Sequence, residues 1–216
     1  MSIKENIKRV TLVVLFNLRG SLMYLSFFMI QLIVIPLIVI GIVYLSIIIS
    51  GGIMDFKIIM RIFLATTIAS TIPAIAQLIS NQLMPDVVDL NASLIGDIKL
   101  IIPTTMILNM LYILPQTVIV ALIVKETYLT ILALLAYLFA ASLGTYVGVL
   151  FRNPMKANTI GTLAYLIFVM ITPISTTSQE ILWMLIPFSI LNMQTALQVP
   201  YVIILSLILL LSLIHI

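Results

Sequence analysis

Long apolar stretches dominate the chain, and most polar residues fall in the short segments between them. Residues 131–139 are apolar on every side, and residues 203–211 are apolar apart from Ser206. A transmembrane β-barrel would instead alternate apolar and polar residues with a period of two. Because backbone groups in hydrocarbon must be satisfied internally, apolar runs of roughly 20 residues predict membrane-spanning helices.

The apolar pattern predicts an all-α integral membrane protein with six transmembrane helices in a single domain, 1–216. Turns are predicted at Gly51, at Lys125 and at Arg152, where polar or flexible residues interrupt the runs. Prolines within the first three spans predict bends in those helices. The predicted spans cover residues 22–49, 62–83, 100–124, 128–151, 157–174 and 195–216.

Two further segments have patterns of polar and apolar residues that differ from those of the spans. Residues 1–19 place Ile3, Ile7 and Val10 on one helical stripe with basic residues elsewhere, which predicts an interfacial amphipathic helix. Residues 175–194 begin with a polar run and continue with an apolar run too short to cross the bilayer. This segment is either re-entrant, before the last span, or a loop on the extracellular surface.

Composition supports membrane residence and excludes several function classes. The chain is 63% hydrophobic and 8% charged, whereas soluble domains are about 45–50% apolar and about 25% charged. There is no cysteine, which removes disulfides and thiolate metal sites. The net charge of +3 is too small to indicate nucleic-acid binding, so membrane lipid is the expected surrounding.

The distribution of Lys and Arg predicts the orientation, because basic residues concentrate in cytoplasmic loops. An orientation with the N-terminus inside, together with an even number of spans, places both termini in the cytoplasm. The expected outer loops then hold Lys57, Arg61 and Lys125. The expected inner loops hold the larger set, Lys4, Lys8, Arg9, Arg19, Lys99, Arg152 and Lys156.

No enzyme signature is found in the sequence. The chain has no GxxxxGK[ST] motif for ATP, no HExxH motif and a single histidine, His215, next to its last residue. No pair of acidic residues falls in the middle of a span. We therefore expect a chain without catalytic residues, bound metal or a cofactor of its own.

Polar and small residues inside the spans are candidate functional positions. Amides facing lipid cost free energy, so they are expected to face the bundle or a cavity, although pairing with nearby backbone is an equal alternative. The amides are Gln31, Gln77, Asn109 and Gln116. Gly144 and Gly148 form a GxxxG motif, which predicts close packing with another helix of the bundle.

The loop between the second and third spans predicts a short helix at residues 85–95. Pro85 suits a first helical position, and Asp86 suits the first turn because its charge complements the helix dipole. Gly96 is a natural helix stop. A rigid helix held between two spans can transmit force between a soluble partner and the bundle.

This layout resembles the permease subunit of ABC type-2 transporters over nearly the whole chain. Residues 81–96 and 143–158 are similar to the coupling loop and to the small-residue span of that family. The resemblance implies separate ABC ATPase subunits that bind ATP and Mg²⁺, and a second permease subunit, either an identical copy or a paralogue. It implies ATPase coupling through Pro85, Asp86, Asp89, Asn91 and Ser93, and a substrate pathway near Gln31, Gln77, Asn109 and Gln116.

The resulting expectation is a multi-pass permease in the bacterial plasma membrane that exports a hydrophobic or amphipathic substrate, such as a peptide toxin or a drug. A lipid-linked glycan is an alternative cargo, and the direction of transport rests on the resemblance alone. The rival function is a non-transporting immunity or assembly factor. Only the permease requires an ATPase partner, so co-purification with such a partner separates the two.

Overall fold

The described part of the chain is helical, and no strand occurs among its residues. The computed structural model describes residues 5, 7–12, 15, 38, 41, 45, 56–85, 87–89, 100–171 and 198–212. The predicted first span and the segment 175–194 fall wholly or mostly outside them. The helices are α1 (Phe56–Ala69), α2 (Thr71–Gln82), α3 (Ile101–Val124), α4 (Tyr128–Leu150), α5 (Pro154–Ile171) and α6 (Gln198–Ser212).

Three helical stretches are long and apolar enough to cross a membrane, namely Ile59–Gln82, Ile101–Val124 and Tyr128–Leu150. The helix Val199–Ser212 is apolar but shorter. The prediction of an all-α chain is confirmed for the described residues, and three helices of membrane-spanning length are consistent with membrane association. The count of six spans and the re-entrant segment stay predictions, because they rest partly on residues outside the described ranges.

The first of these stretches is divided into α1 and α2 at Ser70. Pro73 explains the division, because proline lacks an N–H group and its ring crowds the carbonyl four residues earlier. That carbonyl belongs to Ala69, the residue at which α1 ends. Ser70 itself keeps right-handed helical angles, and its N–H bonds to the Thr66 carbonyl, so the irregularity near the centre of the stretch is confined to one residue.

The interior of the bundle is built from large side chains on α1–α2 and small ones on α4. Both sets recur at helical spacing, so each forms one stripe along its helix. The large set is fully buried and comprises Leu64, Ile68, Ile72, Ile75 and Ile79. The small set is equally buried and comprises Ala133, Ala136, Ala140 and Ala141. Branched side chains of one helix thus fill the space that small residues leave on the other.

Three glycines bring helix backbones into direct contact. A Cβ atom at Gly144 would lie 2.7 Å from the carbonyl oxygen of Ile72, and one at Gly148 would lie 2.7 Å from that of Ala76. A Cβ atom at Gly161 of α5 would lie 2.7 Å from the Cα atom of Pro73. Since no side chain fits at these distances, α4 and α5 both rest on the backbone of α2.

The contacts also give the direction of each helix. Gly144 meets Ile72 and Gly148 meets Ala76, so residue numbers rise together and α2 runs parallel to α4. The Thr105 hydroxyl of α3 donates a hydrogen bond to Gln82 Oε1 at the end of α2. The start of α3 therefore lies beside the end of α2, and α3 runs in the opposite direction, as consecutive membrane spans do.

We expect Gly148→Ala to lower the free energy of unfolding by about 1–3 kcal/mol, the usual cost of overpacking. The added methyl group would meet the Ala76 carbonyl and the Ile79 side chain. Gly41→Ala is the matched control, because a Cβ atom there meets nothing within 4 Å. Denaturant unfolding in detergent micelles measures both variants, and equal stability of the two would contradict the close contact.

Candidate functional site

The turn between α3 and α4 carries the acidic residue at one end of the bundle. Lys125 takes a left-handed conformation with φ 62° and ψ 36°. Its N–H bonds to the Leu122 carbonyl, and the N–H of Glu126 bonds to the Ala121 carbonyl. This pair of bonds closes the end of α3 in the manner of a Schellman motif, and it leaves Glu126 beside the first turns of α1.

The carboxylate of Glu126 joins α1 to this turn. Arg61 Nη2 lies 2.6 Å from Glu126 Oε2, and Lys57 Nζ lies 3.3 Å from Oε1. The Tyr128 hydroxyl donates a third hydrogen bond of 2.9 Å to the same group. The side chains of Arg61 and Glu126 are only 18% and 15% exposed, against 52% for Lys57. The Arg61–Glu126 pair is therefore better shielded from water than the Lys57–Glu126 pair. We call Lys57, Arg61, Glu126 and Tyr128 the Glu126 end.

The ion pair also fixes the charge of the acid. The hydrogen bond from Arg61 is the largest influence on the pKa of Glu126 and lowers it below its usual range; bonds from Tyr128 and Lys57 act in the same direction. Partial burial raises the pKa and offsets part of this effect. Glu126 is consequently a carboxylate at neutral pH.

Neutral hydrogen bonds hold the opposite end of the bundle, which we call the Phe151 end. The Ser80 hydroxyl of α2 donates a 2.7 Å bond to the Phe151 carbonyl after α4. Asn153 Oδ1 accepts the backbone N–H of Lys156 and so caps the start of α5. Together with the Thr105–Gln82 bond, these contacts join the ends of α2 and α4 to the starts of α3 and α5.

The chain beyond α2 forms a further helical turn at the Phe151 end. The backbone N–H groups of Val87 and Val88 both bond to the Met84 carbonyl at 2.9 Å. Pro85 and Asp89 are exposed on this turn. The remaining predicted coupling residues, Asp86, Asn91 and Ser93, lie outside the described residues.

The predicted pathway amides occupy different environments. Gln77 is exposed on α2. Asn109 is half-buried and donates from its amide to the Thr105 carbonyl one turn earlier in its own helix. Gln116 is buried within the bundle, and Gln31 lies outside the described residues. The structure thus places one amide on the surface of the chain and one in its interior.

Sequence reasoning missed the partners of several residues. It placed Arg61 in an expected outer loop without a partner, and it did not single out Glu126, Ser80 or Gly161. One signal was available in the sequence. If consecutive spans run up and down, the start of the second span, with Arg61, lies beside the turn after the third span, with Glu126. Among the described residues, no group of three or more His, Cys, Asp or Glu side chains could hold a metal ion.

Comparison with known proteins adds no family assignment. No protein-family model, curated protein or solved structure matches the chain. The resemblance to type-2 permeases therefore rests on the residues and the layout described above.

We expect Arg61→Gln to destabilise the protein by about 1 kcal/mol, and Lys57→Gln by less, since exposed pairs contribute little. A lowered pKa stabilises the fold above the ordinary pKa of glutamate, and this stabilisation is lost as the pH falls through the folded value. Thermal unfolding between neutral and acidic pH should therefore show a pH-dependent term that Glu126→Gln removes. An unchanged pH profile in Glu126→Gln would contradict the pairing.

The two ends should be reached from opposite sides of the membrane. The stretch Ile59–Gln82 measures about 36 Å at roughly 1.5 Å per residue, enough to cross the bilayer. Single cysteines at Asp89 and Asn153 should react with an impermeant maleimide from one side, and one at Lys125 only from the other. Ala140→Cys, fully buried, is the unreactive control. Labelling of positions 89 and 125 from the same side would overturn this arrangement.

Proposed function

We propose that this chain is the membrane permease subunit of an ATP-driven ABC exporter. The observation that carries the proposal is the exposed helical turn with Pro85 and Asp89, which directly extends α2. In the permease family that the sequence resembles, a helix at this position receives force from an ATPase. Its place at the end of a helix on which both α4 and α5 pack suits that role.

The packing of α2 would carry a displacement of this turn to two other helices. Gly144, Gly148 and Gly161 bring α4 and α5 onto the α2 backbone, and the Ser80 hydroxyl bonds to the carbonyl after α4. Close-packed interiors are hardly compressible and transmit displacement. A push on the turn after α2 would therefore move α2, α4 and α5 together.

The proposed partners follow from the charges at the Phe151 end. Asp89, Arg152 and Lys156 are exposed there, so a partner would present charges of both signs. The excess of basic residues in the predicted inner loops supports a cytoplasmic position for this end, with both termini on the same side. The proposed location is the plasma membrane of a bacterial cell. Separate ATPase subunits would bind ATP and Mg²⁺ there, and two permease subunits would form one pathway.

The proposed substrate is hydrophobic or amphipathic, such as a peptide toxin or a drug. Within α1–α6, charged residues occur only near helix starts, at Lys57, Arg61 and Lys156. A pathway lined by apolar groups and a few amides offers little to hold an ion or a charged group. It suits a membrane-soluble cargo that amides orient.

We expect Asp89→Lys to weaken co-purification with the ATPase subunit at least about tenfold, because like charges brought together at an interface cost several kcal/mol. Lys125→Glu is the matched control, as an exposed charge reversal at the opposite end. Pull-down from membranes measures the complex, and ATP hydrolysis in proteoliposomes with amphipathic peptides measures coupling.

Two outcomes would count against the proposal, in different ways. If the wild-type chain captures no P-loop ATPase from its native membranes, the permease function is wrong and a non-transporting immunity or assembly factor is favoured. If the ATPase binds but Asp89→Lys binds it as well as wild type does, the coupling role of Asp89 is wrong while the permease function stands.

A further inference from the structure

The outward face of α1–α2 carries a line of polar and small residues. Their spacing along the chain alternates between three and four positions. None of them is buried, and the central three are exposed. The line comprises Thr67, Ser70, Ala74, Gln77 and Asn81, which we call the polar seam. The large apolar stripe from Leu64 to Ile79 occupies the opposite, buried face of the same helices.

Gln77 is the residue of the seam that most needs a partner. The Ser70 hydroxyl donates to the Thr67 carbonyl within its own helix, but the Gln77 amide makes no hydrogen bond to any residue that the structure describes. Gln77 precedes the end of α2 by five residues, about 7.5 Å, and a helical Cβ bond tilts toward the N-terminus of the helix. The amide is therefore directed toward the membrane interior, where an unpaired amide is costly.

The chemistry of the seam fits a helix better than it fits lipid. Alternating spacings of three and four are those of the contact line between two helices in a left-handed pair. Small residues such as Ser70 and Ala74 allow close approach, and amides add hydrogen bonds between helices. Other exposed positions, such as Ile119 on α3 and Leu207 on α6, carry branched apolar side chains that suit hydrocarbon.

We infer that the polar seam is the surface on which a second copy of this chain docks, with Gln77 of each copy paired to Gln77 of the other. Copies of one chain insert in the same orientation, so a two-fold axis along the membrane normal brings equal depths together. An amide is both donor and acceptor, so it complements itself across such an axis. Ala74 would meet Ala74, which permits the approach that the amide pair requires.

A segment of the same chain is the competing occupant, and residues 22–49 are the obvious source. The described positions of that segment are open: Ile38 and Leu45 are more than half exposed, and a Cβ atom at Gly41 would meet nothing within 4 Å. Those three described positions therefore do not cover the seam. The inference deepens the proposed pairing of two permease subunits, yet pairing through α2 requires no ATPase.

Cysteine cross-linking of the full-length chain in native membranes tests the inference, because the protein has no cysteine of its own. Variants with one cysteine each, from position 70 to position 81, are oxidised, and monomers are then separated from dimers by gel electrophoresis without reductant. We expect dimers to be most abundant at positions 70, 74 and 77, and least abundant at the buried positions 72, 75 and 79. Ile119→Cys and Leu163→Cys, exposed on α3 and α5, report random collision. Dimer yields at 70, 74 and 77 no higher than these controls would overturn the inference.

A second measurement separates a stable dimer from a chance contact. Fluorescence transfer between labelled copies, diluted into liposomes, should show Gln77→Leu dimerising about three- to tenfold more weakly than wild type, as expected from the loss of an interhelical amide bond. Leu163→Ala is the control on another exposed face and should dimerise as wild type does. Equal dimerisation of Gln77→Leu and wild type would contradict the amide pair. Neither experiment contains an ATPase, so a chain that dimerises through the seam but captures no ATPase would refute only the proposed function.

Discussion

Direct contact between the backbones of α2 and α4 is the interaction on which the rest of the structure depends. Lipid is as apolar as a leucine side chain, so membrane helices gain no hydrophobic free energy by associating and rely on van der Waals contact and hydrogen bonds. Gly144 and Gly148 remove the side chains that would hold the two helices apart. The isoleucines of α2 then fill the space beside them, and Gly161 gives α5 the same access at Pro73.

The two ends of the bundle are held by different chemistry because of where this contact places them. At one end, the carboxylate of Glu126 gathers Arg61, Lys57 and Tyr128. At the other end, Ser80 and Phe151 are joined by a neutral hydrogen bond. Salt screens contacts between charged groups near water, whereas the bond between Ser80 and Phe151 joins uncharged groups. The proposed coupling turn is attached to the Phe151 end. The exposed charges there are not used in contacts within the bundle that we describe, so a partner can bind them.

One helix serves two surfaces, and its two faces differ in chemistry accordingly. The inner face of α2 carries Ile72, Ile75 and Ile79, all fully buried, while its outer face carries Ala74 and Gln77 in exposed positions. In the proposed arrangement, the inner face connects the coupling turn to α4 and α5, and the outer face meets a second copy.

The sequence alone determined that the described chain is helical and where its longest helices lie. The observed α3, Ile101–Val124, and α4, Tyr128–Leu150, match the predicted 100–124 and 128–151, because run length and the polar turns at their ends are local properties. Only the tertiary structure showed that helix extends back to Phe56, since the charges of Lys57 and Arg61 are stabilised there by Glu126, 65 residues beyond Arg61. Only it showed which helix meets the GxxxG motif, and that Gln77 lies outside while Gln116 lies inside. A helix that is apolar on all sides has no periodic pattern to mark its inner face, so that choice belongs to its packing partners.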